Sequence, residues 1–221
     1  MKLWDTKNGE LLYTLEGHKA SVLSIAFSPD GKFLYSAGKD KQIKWWNLSS
    51  GVMINSIKAH NSDINQLIAL DQHQVLSVSK DRSIKIHNAE KGDEAMKLEM
   101  HENPISSAAI STQDSLLYIG DMSGRISRYS LGVEKEVAHI FAHSGAVTNL
   151  CLSADKQHLL SSSNDKTSSL WNLEDQEIEQ TFTGHTKGIS YCSFGQDEKT
   201  IITTSLDSQI MVWSIQDLVQ N

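Results

Sequence analysis

Apolar residues in this chain fall in short runs rather than in a helical stripe. SVLSIAFS (21–28), KFLYSA (32–37), QIKWWN (42–47) and VMINSI (52–57) are rich in β-branched and aromatic residues and are separated by Pro-Asp-Gly, Gly-Lys-Asp and Ser-Ser-Gly turns. Such runs predict strands joined by tight turns. ITTS (202–205) and IMVWS (210–214) likewise lack a 3.6-residue period. The two prolines, Pro29 and Pro104, fall near predicted strand ends, where a missing N–H is harmless.

The runs recur. Dipeptides ending in His18, His60, His101, His143 and His185 are spaced 42, 41, 42 and 42 residues apart. A second series, Trp4-Asp5, Trp46-Asn47, His87-Asn88, Tyr129-Ser130, Trp171-Asn172 and Trp213-Ser214, keeps spacings of 42, 41, 42, 42 and 42. Two markers in fixed phase define a repeat of about 42 residues carrying four strands, which is the pattern of a propeller blade. The predicted organisation is a partial blade of two strands over 1–16, then blades over 17–58, 59–99, 100–141, 142–183 and 184–221, the last lacking its own outer strand.

With its GH…D…WD grammar, best preserved from Gly17 to Asn47, the sequence resembles the WD40-repeat β-propeller family over essentially all of residues 1–215. The resemblance implies an all-β fold of five full four-stranded blade repeats plus the partial leading blade. It also implies a buried tetrad of His, Ser or Thr, Asp and Trp in each blade. Carried onto this chain, the sets are His18, Ser36, Asp40 and Trp46; His143, Ser161, Asp165 and Trp171; and His185, Thr203, Asp207 and Trp213. The second blade keeps His60, Ser77 and Asp81 but has His87 in the Trp place. The third keeps His101 only, with Ile119, Ser123 and Tyr129 elsewhere. A buried carboxylate needs donors, and a turn N–H and an imidazole supply them.

Ser, His and Asp together invite a hydrolase reading. An active site is needed once, however, and this constellation recurs, without a GxSxG elbow. Nor is there an HExxH, CxxC, calcium-loop or phosphate-loop motif. His139 and His143 in HIFAH are four apart, a metal-binding spacing only on a helix. No catalytic residue, metal or cofactor is expected.

Trp4, Trp46, Trp171 and Trp213 follow the repeat and read as core. Trp45 points to the opposite strand face, either packing between blades or joining a contact surface. The degenerate third blade reflects either relaxed local constraint or a partner that touches Met122, Arg125 and Arg128, residue types favoured in interfaces. In WD40 proteins the usual contact face is lined by positions just after the GH dipeptide and just before the turn Asp. Here that implies Leu23, Lys39, Asn65, Lys80, Met122, Asn164 and Leu206, with Ser106, Thr148 and Ser190 at further post-His positions.

Counting predicted strands gives 21, one more than a closed five-bladed ring needs. The expectation is an incomplete, open ring, a piece of a larger propeller whose open blade edges invite association. Pairing of Leu11–Leu15 beside Ile210–Trp213 would contradict it.

Composition narrows the function. The net charge is −7, with three arginines and dispersed lysines, so nucleic acid is not expected as the main partner. No run approaches a membrane span and the N-terminus has no signal-peptide core, so a cytoplasmic or nuclear location is expected. Cys151 and Cys192 sit in apolar runs and read as buried reduced thiols. The resulting expectation is a non-catalytic protein–protein interaction scaffold whose partners are other proteins. The alternatives are a substrate receptor of a cullin-type ubiquitin ligase, for which the expected WDxxR-like box is missing, and an enzyme built on a propeller.

Overall fold

A computed structural model describes residues 1–88, 91–98 and 101–215. Among these residues there are 21 strands and no helix. The chain divides into two compact units, Met1–Ile105 and Ser106–Asn221.

The first unit contains three antiparallel sheets. β1 (Lys2–Trp4) pairs with β2 (Leu11–Thr14). β3 (Val22–Phe27), β4 (Phe33–Gly38), β5 (Gln42–Asn47) and β6 (Met53–Lys58) form a four-stranded meander. β7 (Ile64–Ala69), β8 (Gln74–Ser79), β9 (Ile84–Asn88) and β10 (Glu94–Lys97) form a second. Leu15, Leu34 and Trp46 make one core cluster with Met1, Tyr13 and Leu48 at its margin. Tyr35, Ile43, Trp45, Ala59, Ile64, Leu67 and Val75 make another, between the two meanders. Trp45 therefore packs between blades; it is 1 % exposed and sits edge-on to Tyr35 at 6.4 Å.

The second unit repeats the plan. β11 (Ile105–Ser111), β12 (Leu116–Asp121), β13 (Arg125–Ser130) and β14 (Lys135–Phe141) form one meander. β15 (Val147–Leu152), β16 (His158–Ser163), β17 (Thr167–Asn172) and β18 (Ile178–Thr183) form the next. β19 (Ile189–Phe194), β20 (Thr200–Ser205) and β21 (Ile210–Ser214) form a three-stranded sheet. The cores between them gather Tyr118, Ile126, Leu150, Leu159 and Trp171, and then Leu160, Leu170, Phe182, Cys192 and Ile201. Among the described residues β2 pairs only with β1, and β21 only with β20.

A repeated backbone device sets the strand geometry. The first and second strands of four sheets carry an irregularity at one place, between Val22/Ser24, Ile64/Gln66, Val147/Asn149 and Ile189/Tyr191. Such bulges increase twist and re-aim side chains. The turn between second and third strands ends in a left-handed residue each time: Lys41, Arg82, Lys166 and Ser208 at φ 66, 71, 77 and 68°, and Gly124 at 91°. Only at Gly124 does crowding demand glycine, since a Cβ there would lie 2.1 Å from the His143 carbonyl oxygen.

One expectation fails. Trp4 is not core but 50 % exposed. Its sheet has two strands among the described residues, so no neighbouring strand presents a hydroxyl to its indole or covers its ring.

Candidate functional site

Each intact network starts from a His in the loop before a first strand, a hydroxyl on the second strand, an Asp in the following turn and a Trp on the third strand. His18 Nδ1 lies 2.8 Å from Asp40 Oδ2 and its Nε2 2.7 Å from Ser36 Oγ, while Trp46 Nε1–H donates to that Oγ at 2.8 Å. His143 meets Asp165 at 3.1 Å and Ser161 at 2.8 Å, with Trp171 donating to Ser161 at 2.9 Å. His185 meets Asp207 at 2.9 Å and Thr203 at 2.8 Å, with Trp213 donating to Thr203 at 2.9 Å.

The geometry dictates the protons. A carboxylate accepts only, so Nδ1 carries the hydrogen and Nε2 is left to accept from the hydroxyl. The hydroxyl in turn accepts from the indole. Each chain of donors then closes on one carboxylate with no orphan atom. Ser36, Ser161 and Thr203 are each 0 % exposed. A hydroxyl enclosed in this way cannot meet a substrate.

Backbone donors hold the carboxylates. Lys19, Ser144 and Thr186 N–H donate to Asp40, Asp165 and Asp207 at 3.1, 3.0 and 2.9 Å. Burial alone would raise the Asp40 and Asp165 carboxyls, but hydrogen bonds from His18 and from Thr167 outweigh it and hold both below the usual range. Asp207 is lowered in the same way, burial being outweighed by His185 and Thr186. Burial depresses the basicity of His60 and His143 more than the adjoining carboxylates raise it.

The second blade is a variant. His60 bonds Ser77 at 2.8 Å and Asp81 at 3.1 Å. Ser83, which sequence reasoning missed, adds a bond to His60 Nδ1 at 2.9 Å and one to Asp81 at 2.6 Å. Asp81 titrates at about 2, burial being overcome by the bonds from Ser83 and the Asn61 N–H. His87 is 2 % exposed, yet neither ring nitrogen has a hydrogen-bond partner among the described residues. Its pKa falls to about 4, chiefly through burial and then through His60, whose ring lies 6.5 Å away.

In the third blade the carboxylate has moved. Asp121, two residues before the Ser123 position, is 0 % exposed and accepts from the Ser123 N–H at 2.8 Å, the Ser123 hydroxyl at 2.7 Å and the Arg125 N–H at 3.1 Å. Fixed-offset alignment hid it. Arg125 is not available to a partner: it is 6 % exposed and ion-paired to Glu136, which also takes His139 at 3.0 Å. His139 stands on a strand, and His143 belongs to a separate network. Among the described residues no group of three or more His, Cys, Asp or Glu is placed to hold a metal ion. No helix is long and apolar enough to cross a membrane.

Cys192 is buried, its thiol pushed up to about 12 by desolvation, and Cys151 is half-buried; both are free. The position of Cys192 exposes another device missing from the sequence reading. Ser24 Oγ accepts from Leu67 N–H at 2.9 Å, Ser107 Oγ from Leu150 N–H at 3.0 Å, and Asn149 Oδ1 from Cys192 N–H at 3.4 Å. One side chain of β3, β11 and β15 thus latches the backbone of the next sheet.

The residues expected on a contact face divide. In the first unit Leu23 and Lys39 are exposed. Asn65 and Lys80 are half-buried, the former donating to the Ile105 carbonyl and the latter paired to Asp63 at 3.1 Å. In the second unit Met122 is 43 % exposed, Leu206 is 65 % exposed, and Asn164 is exposed. Their turns adjoin: a Cβ on Gly124 would meet Gly145 O at 2.8 Å and one on Gly145 would meet Asp165 N at 2.9 Å, while the Leu206 N–H donates to Gly188 O at 3.1 Å and a Cβ on Gly188 would meet Asn164 Oδ1 at 2.9 Å. Ser106, Thr148 and Ser190 bond to Gly120, Ser162 and Thr204 within their own sheets.

The chain matches a family model described as the IFT122 first beta-propeller, over residues 1–221. The chain belongs to this WD40-type β-propeller family. Relatives of this propeller include Autophagy-related protein 16 of Arabidopsis thaliana, 23 % identical over 97 % of this chain and 43 % of the relative. Periodic tryptophan protein 2 homolog of Dictyostelium discoideum is 24 % identical over 96 % of this chain and 23 % of its own length. Target of rapamycin complex subunit wat1 of Schizosaccharomyces pombe is 27 % identical over 80 % and 60 %. The propeller chain thus spans less than two thirds of each of these relatives.

Proposed function

We propose that this propeller is a non-catalytic platform for protein–protein interaction. One observation carries the reading: the polar constellations that resemble chemistry are sealed, whereas the adjoining turns of the second unit present Met122, Asn164 and Leu206 to solvent. A rigid sheet with apolar and amide groups on its turns suits partner contact, because little ordering entropy is lost on binding. The relative wat1 is, by name, a complex subunit, and that supports the same role here. The net charge of −7 favours protein over nucleic acid as partner. Free Cys151 and Cys192 suit a reducing cytoplasmic or nuclear compartment. The outer edge of β21, which pairs with no strand among the described residues, offers a second route, pairing with an added strand.

Affinity purification of the full-length protein with mass spectrometry, repeated with Met122→Ala/Leu206→Asp, tests the proposal. The expected result is a reproducible protein partner whose recovery falls in the double variant. Unchanged recovery, or turnover of a small molecule by the purified protein, overturns it.

A further inference from the structure

The second strands of the meanders share one reading. LYSA (34–37), VLSV (75–78), LLSS (159–162) and IITT (201–204) run apolar, apolar, hydroxyl, compact. Each lies antiparallel to its third strand with its first residue opposite the Trp place: Leu34 to Trp46, Val75 to His87, Leu159 to Trp171 and Ile201 to Trp213. In three of the four the hydroxyl takes the indole N–H. The residues on either side of it turn to the opposite face. Tyr35 and Ala37 there join Ile64 and Leu67 on the first strand of the following sheet, as Leu160 joins Cys192.

The β1–β2 sheet lacks such a strand. Among the described residues β1 pairs only with β2, so its other edge presents unpaired backbone groups. Trp4 on β1 holds the Trp place and is 50 % exposed. The face that the strand would cover is bare as well. Ile25 on β3 is 52 % exposed, whereas Leu67, Leu150 and Cys192, which like it pair with the network hydroxyl residue, are buried. Val22 is half-buried where Ile64, Val147 and Ile189 are buried. Beside β1 lies an open hollow of about 540 Å³, lined by Met1, Leu15, His18, Ala20 and Val22. A free strand edge, an apolar floor and a hollow thus adjoin within the first unit.

We propose that this groove docks one extended segment of a partner protein, reading apolar, apolar, Ser or Thr, compact, which adds to β1 as an antiparallel strand. Backbone pairing with β1 holds it. Its hydroxyl accepts from the Trp4 indole, its second apolar residue covers Ile25, and its compact residue enters the hollow. The chain's own meanders identify this chemistry, because they cover the equivalent faces with strands of this pattern. A second copy of the chain has no such strand to give: β4, β8, β16 and β20 are each paired on both edges. The proposal adds a second contact surface to the platform reading and rests on it for the existence of a partner.

The test is NMR titration of the full-length protein with the capped peptide acetyl-Lys-Phe-Leu-Tyr-Ser-Ala-Gly-Lys-amide, the sequence of residues 32–39, following the indole Nε1–H of Trp4. Two counterparts are N-methylated, one at the Tyr and one at the Ser. Successive amides of a strand point to opposite sides, so only one of these two faces β1. The expected result is a saturable shift with the parent peptide, affinity at least about tenfold weaker for one counterpart and unchanged for the other. Ile25→Lys is expected to lose binding; Ile25 is exposed, so the variant should melt as wild type does. No response, an equal effect of the two methylations, or unchanged affinity in Ile25→Lys overturns the proposal. So does a Trp4 shift that grows with protein concentration without peptide and accompanies a dimer in sedimentation, which would make a second copy the occupant. Absence of peptide binding with intact capture of a partner that depends on Met122 and Leu206 rejects the groove alone. Peptide binding without such capture upholds the groove and rejects the turns as the contact face.

Discussion

Indole, hydroxyl and imidazole in series give each intact network a direction, and the single change at His87 shows what the direction is worth. Trp46, Trp171 and Trp213 donate to Ser36, Ser161 and Thr203, whereas among the described residues His87 leaves both ring nitrogens unanswered and Ser77 without an indole donor. For the β15–β18 sheet Trp171 coexists with an alanine, Ala142, before the network histidine, and the β7–β10 sheet has Ala59 there. His87→Trp is therefore expected to fit and to raise stability by about 1 kcal/mol, read from chemical denaturation. Titration follows from the same residues. His60, His87 and His143 are all less basic folded than the ordinary 6.5, so the unfolded chain takes up protons first as pH falls. Their stabilising contribution is complete above pH 6.5 and is lost on acidification, for His87 between 6.5 and about 4. Asp81 adds a loss between 3.8 and about 2. Denaturation midpoints measured from pH 7 to pH 4 should fall, and fall less in His87→Trp; a flat profile in the parent would contradict this.

At the scale of elements, the latch from one sheet to the next governs cohesion. Ser107→Ala would leave the buried Leu150 N–H without its acceptor, at a cost of about 1–2 kcal/mol; amide hydrogen exchange at Leu150 should quicken accordingly. This latch was not legible in the sequence. Ser24, Ser107 and Asn149 occupy one repeat position but differ in type, and their partners lie 43 residues away. The strands themselves were legible, because turn residues and β-branched runs recur at a period two markers share. The three Trp-bearing networks were legible only through the resemblance to WD40 repeats. What fixed-offset reading lost was displaced or added chemistry: Asp121 two residues early, Ser83 beside Asp81, and Arg125 turned inward to Glu136. Trp4 failed differently, since its motif is intact but among the described residues its two-stranded sheet sets only the Lys2 ammonium over the ring, at 5.7 Å.

For the whole molecule, the account separates two duties. On the proposed reading, the sealed networks hold the sheets and the exposed turns meet partners. Family membership alone does not assign those duties, so they must be separated by experiment. The most direct measurement pairs unfolding free energy with partner affinity in Ser161→Ala and Leu206→Asp. Ser161 is 0 % exposed and bonded to both His143 and Trp171, so its loss should lower stability by about 1–3 kcal/mol while a folded sample keeps its partner affinity. Leu206 is 65 % exposed, so its replacement should change stability by less than about 0.5 kcal/mol yet weaken binding. Full stability in Ser161→Ala together with loss of partner affinity would make the hydroxyl a working group and contradict the account.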